Sequence, residues 1–183
     1  MGYLNTSPYC KVIPHALTAV RLVLVFPFAL FLAKGDQHSA LFAGIAIAVA
    51  IATDFLDGLV ARKKGVASVA GKTFDHIVDF LFVTSGLFSG ALRGAFSWIL
   101  PALITAAFAQ YVIDSYWMHR LRRLRGNPLG RLNGMLYFVP LCTDILIRLG
   151  LDFLQPLLTI LVWALVFSTL VSMAQRLTIR SPS

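Results

Sequence analysis

The chain has 183 residues, of which 58% are hydrophobic and only 13% charged, and its mean hydropathy is +0.78. A soluble domain carries about a quarter charged residues, so this composition excludes an ordinary soluble protein and predicts one embedded in a membrane. The net charge of +8 does not indicate nucleic-acid binding, because no basic stretch lies outside the flanks of apolar runs.

The predicted elements begin with residues 1–14, where mixed apolar and polar residues ending in a proline favour a short interfacial helix or arm. Residues 15–183 form one predicted membrane domain. A helix needs roughly 20 apolar residues to cross the hydrocarbon core. Six runs approach this length: 16–33, 39–62, 71–92, 95–118, 132–149 and 155–175. The predicted fold is therefore an all-α integral membrane protein with six transmembrane helices.

The distribution of basic residues predicts the orientation. With the N-terminus inside, twelve of the sixteen lysines and arginines fall on cytoplasmic segments. Because cytoplasmic loops carry an excess of these residues, both termini should be cytoplasmic. The expected partners of this charge are anionic lipid headgroups.

The first predicted span contains two polar residues, Thr18 and Arg21, which share a helix face at a spacing of three. Arg21 has two interpretations. Its long side chain can extend to the membrane interface, or it can point into the bundle toward a phosphate or toward aspartates. We favour the second interpretation, because the aspartates of the next two spans need positive partners.

The stretch 54–79 holds four of the eight acidic residues, all of which are aspartates. A carboxylate among apolar runs is unfavourable unless it meets a counter-charge, a metal or water. In the second span Asp54, Asp57, Gly58 and Ala61 follow helical offsets of 0, 3, 4 and 7, so they form one stripe. The small residues are either simple helix-packing positions or, as we favour, a surface along which a ligand lies.

Asp75 and Asp79 lie four residues apart on the third span and share a face. At about 1.5 Å per residue, an antiparallel hairpin places Asp54 beside Asp79 and Asp57 beside Asp75, at two matched depths below the cytoplasmic surface. Four carboxylates without cysteine predict a site for two hard cations, Mg²⁺, Mn²⁺ or Ca²⁺, rather than zinc. Two such cations suit phosphoryl transfer.

The fourth and fifth spans carry further polar residues. Asp114 either pairs with basic residues one turn along the chain or takes part in binding a substrate. Arg131 and Asn133 lie near the cytoplasmic entrance of the fifth span. Asp144 and Arg148, four apart near the opposite face, predict a local ion pair.

The sixth predicted span is apolar apart from three hydroxyl side chains, those of Ser168, Thr169 and Ser172. A uniformly apolar helix with only small polar residues is typical of a span that packs against its neighbours. We interpret it as scaffold.

From Asp54 to Asp79 the residues match the pattern Dx2DGx2ARx8Gx3Dx3D, and the chain thereby resembles the CDP-alcohol phosphotransferase (CDP-alcohol phosphatidyltransferase) family, class I. The segment IPHALTAVR extends the resemblance. It implies a transferase of phospholipid biosynthesis, in the bacterial inner membrane with its active site facing the cytoplasm. Such an enzyme moves a phosphatidyl group from CDP-diacylglycerol to the hydroxyl of a small alcohol and releases CMP. Two divalent cations, Mg²⁺ or Mn²⁺, and a homodimer are implied with it.

The resemblance also assigns roles to residues. Asp54, Asp57, Asp75 and Asp79 would hold the two cations, and Asp79 would be the general base for the acceptor hydroxyl. Contacts to the nucleotide and diphosphate are implied for Asp54, Gly58, Ala61, Arg62 and Gly71. Further substrate contacts are expected at Thr18, Arg21, Lys72, Asp114, Arg131 and Asn133.

The acceptor is the least determined part of this prediction. Family members that use glycerol 3-phosphate often have proline after the third aspartate and lysine after the fourth, where this chain has His76 and Phe80. Residues 130–134, GRLNG, partly match a Gly-Lys-x-Lys-Thr-like segment of those members. Glycerol 3-phosphate is the first expectation, with inositol phosphate, serine, phosphatidylglycerol or a choline-type alcohol as alternatives. A different class of protein, an ion-coupled transporter, would place its charges near the membrane midplane.

Overall fold

The computed structural model describes residues 9–64, 69–113 and 128–178, with side chains for 18–56, 73–113, 129–130 and 132–176. The described residues form helices and no strand, which confirms the predicted all-α fold. The helices are α1 (Tyr9–Ala33), α2 (Gln37–Lys64), α3 (Val69–Leu92), α4 (Ile99–Ile113), α5 (Pro128–Leu136), α6 (Phe138–Arg148) and α7 (Gln155–Thr178), with a 3₁₀ turn at Asp152–Leu154 before α7.

Two segments of the described chain are long and apolar enough to cross a membrane, Gln37–Leu56 in α2 and Asp152–Arg176, which includes α7. Two shorter apolar helical segments, Thr18–Ala33 and Ile99–Ile113, lie in α1 and α4. The count of six spans and the cytoplasmic placement of both termini stay predictions.

The helix bounds differ from the predicted ones by four or more residues in three of the predicted spans, one of which is the fourth, where α4 begins at Ile99 in place of residue 95. Helix α1 begins at Tyr9, so the second half of the predicted arm 1–14 continues directly into the first span. The predicted fifth span 132–149 is divided at Tyr137 into α5 and α6. Pro140 explains the division, because it has no N–H to donate to the carbonyl of Leu136 and its ring crowds the preceding turn.

Helix α1 packs against both α2 and α3, and these three helices form one unit. The rings of Phe28 on α1 and Phe82 on α3 stack with their centroids 4.2 Å apart. Next to them, a Cβ on Gly86 would lie 2.6 Å from the Phe28 ring and 3.1 Å from Leu32. Only glycine permits this close approach of α1 to α3, and the approach determines where the polar residues of α1 meet those of α3.

The other helices are arranged around α7, which packs against α4, α5 and α6. Contacts of α4 and α6 with α3, and of α6 with α2, join this second unit to the first. The stack of Phe80 on Phe108, with centroids 3.8 Å apart, connects α3 to α4. Since Phe80 follows Asp79 in the chain, this contact places the second unit beside the aspartates.

The C-terminal end of α1 is closed by two arginines from other helices. The last carbonyls of a helix have no partners within it, and the last turn of α1 contains no basic residue. Arg93 Nε donates to the Leu32 carbonyl at 3.1 Å. Arg148 donates from one nitrogen to three carbonyls at 2.6–3.2 Å, those of Phe31, Lys34 and Asp36.

The predicted ion pair between Asp144 and Arg148 is wrong, because Asp144 pairs with Arg93. The spacing of four allowed a contact within the helix, but the carbonyls at the end of α1 recruit Arg148 instead. Arg93, at the end of α3, is then the nearest cation for the buried Asp144 carboxylate.

Candidate functional site

Arg21 lies at the meeting point of three helices and contacts three carboxylates. Its side chain is only 2% exposed. From α1, its Nη1 atom lies 3.0 Å from Asp54 Oδ1 on α2 and also bonds Asp79 Oδ1 on α3. Its Nη2 atom lies 3.6 Å from Asp75 Oδ1. The arginine therefore points into the bundle, as the second of the two interpretations of the sequence predicts.

Local helix geometry explains why these groups meet. Thr18 and Arg21 are one turn apart on α1, and Thr18 Oγ1 donates to Asp75 Oδ1 while Arg21 reaches the other two aspartates. Asp75 and Asp79 are likewise one turn apart on α3. Because Asp54 and Asp79 contact the same nitrogen of Arg21, they lie at one level, as the depth comparison predicts.

The charges of this cluster are unequal. Arg21 contributes one positive charge against three carboxylates, Asp54, Asp75 and Asp79, which leaves two negative charges in excess among the four side chains. Excess charge inside an apolar bundle is unfavourable unless a further cation binds. The Asp54 side chain is 61% exposed and so remains accessible to one.

Oxygen donors from three carboxylates fit a hard divalent cation. In the part of the chain with described side chains, no three acidic, histidine or cysteine side chains by themselves form a metal cage. Each aspartate instead directs an oxygen at Arg21. The predicted two-cation site thus has a suitable donor set at this place, and it stays a prediction.

Several predicted site residues cannot be located by their side chains. On α2 and α3 the structure describes only the helical backbone at Asp57, Gly58, Ala61, Arg62, Gly71 and Lys72. On α5 the same holds for Arg131, and Asp114 lies outside the described residues. Because the structure does not describe the side chain of Asp57, its predicted pairing with Asp75 stays a prediction.

Asn133 is not part of the aspartate cluster. It is buried between α5 and α7, where its Oδ1 atom accepts a hydrogen bond from Ser168 Oγ at 2.7 Å. The structure therefore brings together Thr18, Arg21 and the three described aspartates and places Asn133 in a second polar cluster.

This second cluster follows one broad face of α7, which the sequence suggested was only scaffold. The Tyr137 hydroxyl bonds Thr169 Oγ1 at 2.8 Å, and Gln110 Nε2 donates to the Met173 carbonyl at 3.3 Å. The guanidinium of Arg176 lies 4.7 Å from the centre of the Tyr111 ring. A signal for it exists in the sequence, because Thr169, Ser172 and Arg176 have the 0, 3, 7 spacing of one helix face.

Three bacterial proteins have sequences similar to part of this chain. A probable phosphatidylglycerophosphate synthase of Mycobacterium tuberculosis is 38% identical over 93 residues, 49% of this chain and 44% of the relative. Two proteins named CDP-diacylglycerol–glycerol-3-phosphate 3-phosphatidyltransferase also match. The one from Mycoplasma genitalium is 26% identical over 153 residues, 73% of this chain and 64% of the relative. The one from Pseudomonas fluorescens is 31% identical over 122 residues, 65% of this chain and 61% of the relative.

These matched segments span between 44% and 64% of the relatives' own lengths. The match to a family as a whole is more extensive. The model of the CDP-alcohol phosphatidyltransferase family matches residues 11–174, which include α2, α3, α4, α5 and α6 entirely and nearly all of α1 and α7. The chain belongs to the CDP-alcohol phosphatidyltransferase family.

Proposed function

We propose that the protein transfers a phosphatidyl group from CDP-diacylglycerol to a hydroxyl of glycerol 3-phosphate and releases CMP. The observation that carries the proposal is the convergence of Asp54, Asp75 and Asp79 on one buried arginine, within a chain of this family. Glycerol 3-phosphate is chosen because two of the relatives are named for it. Family membership favours this reaction over ion-coupled transport.

In this proposal Asp54, Asp57, Asp75 and Asp79 hold two divalent cations, Mg²⁺ or Mn²⁺. Bound there, the cations would neutralise the diphosphate of the donor and orient it. The excess of negative charge around Arg21 supports this assignment, because a bound cation would neutralise it. The nucleotide is assigned to Gly58, Ala61, Arg62 and Gly71, on the helices that carry the aspartates.

Asp79 is the proposed general base. Its carboxylate would accept the proton of the acceptor hydroxyl, whose oxygen attacks the phosphorus that carries the diacylglycerol. The new P–O bond forms as the bond to CMP breaks, and CMP leaves with both bonding electrons. Arg21, bonded to Asp79 Oδ1, orients the carboxylate. The hydroxyl of Thr18 donates to Asp75 Oδ1 and orients that carboxylate in the same way.

The protein is proposed to span the membrane six times, with both termini and the site on the cytoplasmic side of a bacterial inner membrane. Large apolar side chains point outward from the bundle, as lipid contact requires. Examples are Val23 at 73% and Phe26 at 71% exposure on α1, and Phe167 at 70% on α7. A homodimer is proposed by analogy with the family.

The direct test is CMP release by the purified protein given CDP-diacylglycerol, Mg²⁺ or Mn²⁺ and single acceptors. We expect release with glycerol 3-phosphate and none without an acceptor. Inositol phosphate, serine, phosphatidylglycerol and choline are the comparison acceptors, and a faster reaction with one of them would replace glycerol 3-phosphate in the proposal. Absence of CMP with every acceptor would contradict the reaction itself.

A further inference from the structure

One nitrogen of Arg21 lies between carboxylate oxygens of two different helices. Its Nη1 atom is 3.0 Å from Asp54 Oδ1 on α2, and it also donates to Asp79 Oδ1 on α3. A metal ion shared by these two aspartates would likewise lie between oxygens of α2 and α3. In this structure the positive group in that position is therefore a side chain of the protein itself.

The three carboxylates around Arg21 are not equally enclosed. The Asp54 side chain is 61% exposed, whereas Asp75 and Asp79 are 32% and 29% exposed. Asp75 also accepts a hydrogen bond from Thr18. Among the side chains that the structure describes, Arg21 is the one hydrogen-bond partner of Asp54. Asp54 is thus the carboxylate that a cation from the water can reach most easily, and one hydrogen bond holds it to α1.

A divalent cation and the guanidinium cannot both bind this oxygen of Asp54. A hard cation binds carboxylate oxygens at about 2.0–2.6 Å. An ion on Asp54 Oδ1 would then lie within about 6 Å of Nη1, which is 3.0 Å from the same oxygen. Like charges at this separation repel each other strongly where little water screens them, and Arg21 is only 2% exposed. Arg21 and the cation are therefore competitors for Asp54.

We propose that Arg21 occupies Asp54 in the metal-free protein and that a divalent cation binds there by replacing it. Without metal, the arginine neutralises part of the charge of Asp54 and holds α2 to α1. With metal, it gives up Asp54 and keeps its bond to Asp79, whose carboxylate it orients. The inference rests on the proposed function, because it takes these aspartates to be the cation ligands. It adds that the protein itself lowers the affinity of its cation site.

The test measures Mn²⁺ binding to the purified protein by electron paramagnetic resonance, in which the signal of free Mn²⁺ disappears on binding. Arg21→Met keeps much of the apolar length of the side chain and removes its charge. We expect the Kd for Mn²⁺ to be at least about tenfold lower in Arg21→Met than in the unmodified protein, because the competing charge is gone. Arg21→Lys retains the charge and should give a Kd between the two.

Arg148→Met is the matched control, since it makes the same substitution at the C-terminal end of α1. The carbonyl of Phe31, which Arg148 bonds, lies ten residues beyond Arg21, or about 15 Å along the helix. The Kd should therefore change by less than about twofold. Asp54→Asn should raise the Kd at least about tenfold, which assigns the measured ion to this carboxylate.

Two results would overturn the inference. The first is a Kd in Arg21→Met that equals or exceeds that of the unmodified protein, since the cation would then bind without displacing the arginine. The second is a Kd that Asp54→Asn leaves unchanged, since the ion would then bind elsewhere.

A measurement on the unmodified protein covers the case in which Arg21→Met does not fold. With ¹⁵N-labelled arginine, the Nη signals of Arg21 are identified by their absence in Arg21→Lys. Adding Mg²⁺ should move them toward the positions that they have in metal-free Asp54→Asn, because both changes remove the same hydrogen bond. Signals that Mg²⁺ leaves in place would overturn the inference.

Failure of the proposed function has a different signature. If no acceptor releases CMP and Arg21→Met still binds Mn²⁺ about tenfold more tightly, the competition is supported and the reaction is wrong. If CMP is released and the two Kd values are equal, the reaction stands and the competition is overturned. Absence of Mn²⁺ binding in every variant would overturn both the competition and the cation site.

Discussion

Arginine is used in opposite ways at two places along α1. At the middle of the helix, α1 supplies Arg21 to three aspartates of α2 and α3. At the C-terminal end, α1 supplies carbonyls, and Arg93 and Arg148 arrive from α3 and α6. The first group has two negative charges in excess, whereas the second joins cations to backbone oxygens and to Asp144. The difference teaches that a buried arginine can offset part of the charge of several carboxylates, as Arg21 does, or hold the end of one helix to its neighbours, as Arg93 and Arg148 do.

The largest expected effect is at the aspartate cluster around Arg21. Asp79→Asn removes the proposed base and should lower kcat by at least about 100-fold, with the Tm nearly unchanged because the amide can still accept from Arg21. CMP release under saturating substrates measures it. Asp152→Asn, an exposed aspartate in the 3₁₀ turn, is the control and should keep full activity. Full activity of Asp79→Asn would remove the base assignment.

Arg21→Ala tests the charge excess directly. The substitution leaves three carboxylates without their shared cation. We therefore expect the unfolding free energy in EDTA to fall by about 3 kcal/mol, which is observed as a lower Tm. Adding Mg²⁺ or Mn²⁺ should raise the Tm more in Arg21→Ala than in the unmodified protein, because a metal then supplies the missing charge. An equal rise in both proteins would argue against a cation site at these aspartates.

Gly86→Ala tests the packing that lies between Arg21 and the C-terminal end of α1. The added Cβ would meet Phe28 at 2.6 Å and both Leu141 and Leu32 at 3.1 Å, so α1 and α3 must separate. We expect a loss of about 2 kcal/mol in unfolding free energy, measured by thermal or denaturant unfolding. Gly134→Ala is the control, since nothing lies within 4 Å of its Cβ, and it should be neutral or stabilising.

Arg148→Met should affect only the C-terminal end of α1. It removes the donor to three carbonyls at the end of α1 and keeps the apolar length of the side chain, so the unfolding free energy should fall by about 1 kcal/mol. Because the aspartates are not involved, the Tm increase produced by Mg²⁺ should equal that of the unmodified protein. A reduced Mg²⁺ response would show that the C-terminal end of α1 is coupled to the aspartate cluster.

The smallest effect concerns Asp36, in the loop between α1 and α2. Hydrogen bonds from the Ser39 N–H and hydroxyl, both at 2.8 Å, hold the pKa of Asp36 below its ordinary value of 3.8. A depressed folded-state pKa gives stability that is present above pH 3.8 and is lost as the pH falls through the lower folded-state value. The Tm difference between the unmodified protein and Asp36→Asn should be constant from pH 5 to 7 and shrink below pH 3.8. A difference that grows toward acid would contradict this.

Much of the aspartate site could be predicted from sequence because it depends on short helical spacings. Thr18 and Arg21 are one helical turn apart, as are Asp75 and Asp79, and this spacing puts the members of each pair on one helix face. A comparison of depths was then enough to place Asp54 level with Asp79, which Arg21 bridges in the structure. These spacings predict that cations bind there, and only a binding measurement can test that prediction.

Other features could not be predicted, because they depend on which helices become neighbours. The choice of Arg93 for Asp144, the recruitment of Arg148 to the end of α1, and the contact of Asn133 with Ser168 each join residues at least 35 positions apart. Helical periodicity carries no information about such partners.

The sequence by itself determined the membrane class, the helical fold, the family and the residues of the aspartate cluster, since composition and local spacing are properties of the chain alone. The tertiary structure decided the direction of Arg21, the division of the fifth span, the closed end of α1 and the polar face of α7. Those depend on close packing, as at Gly86 and Phe28, which selects one arrangement from the many that the same helices could adopt.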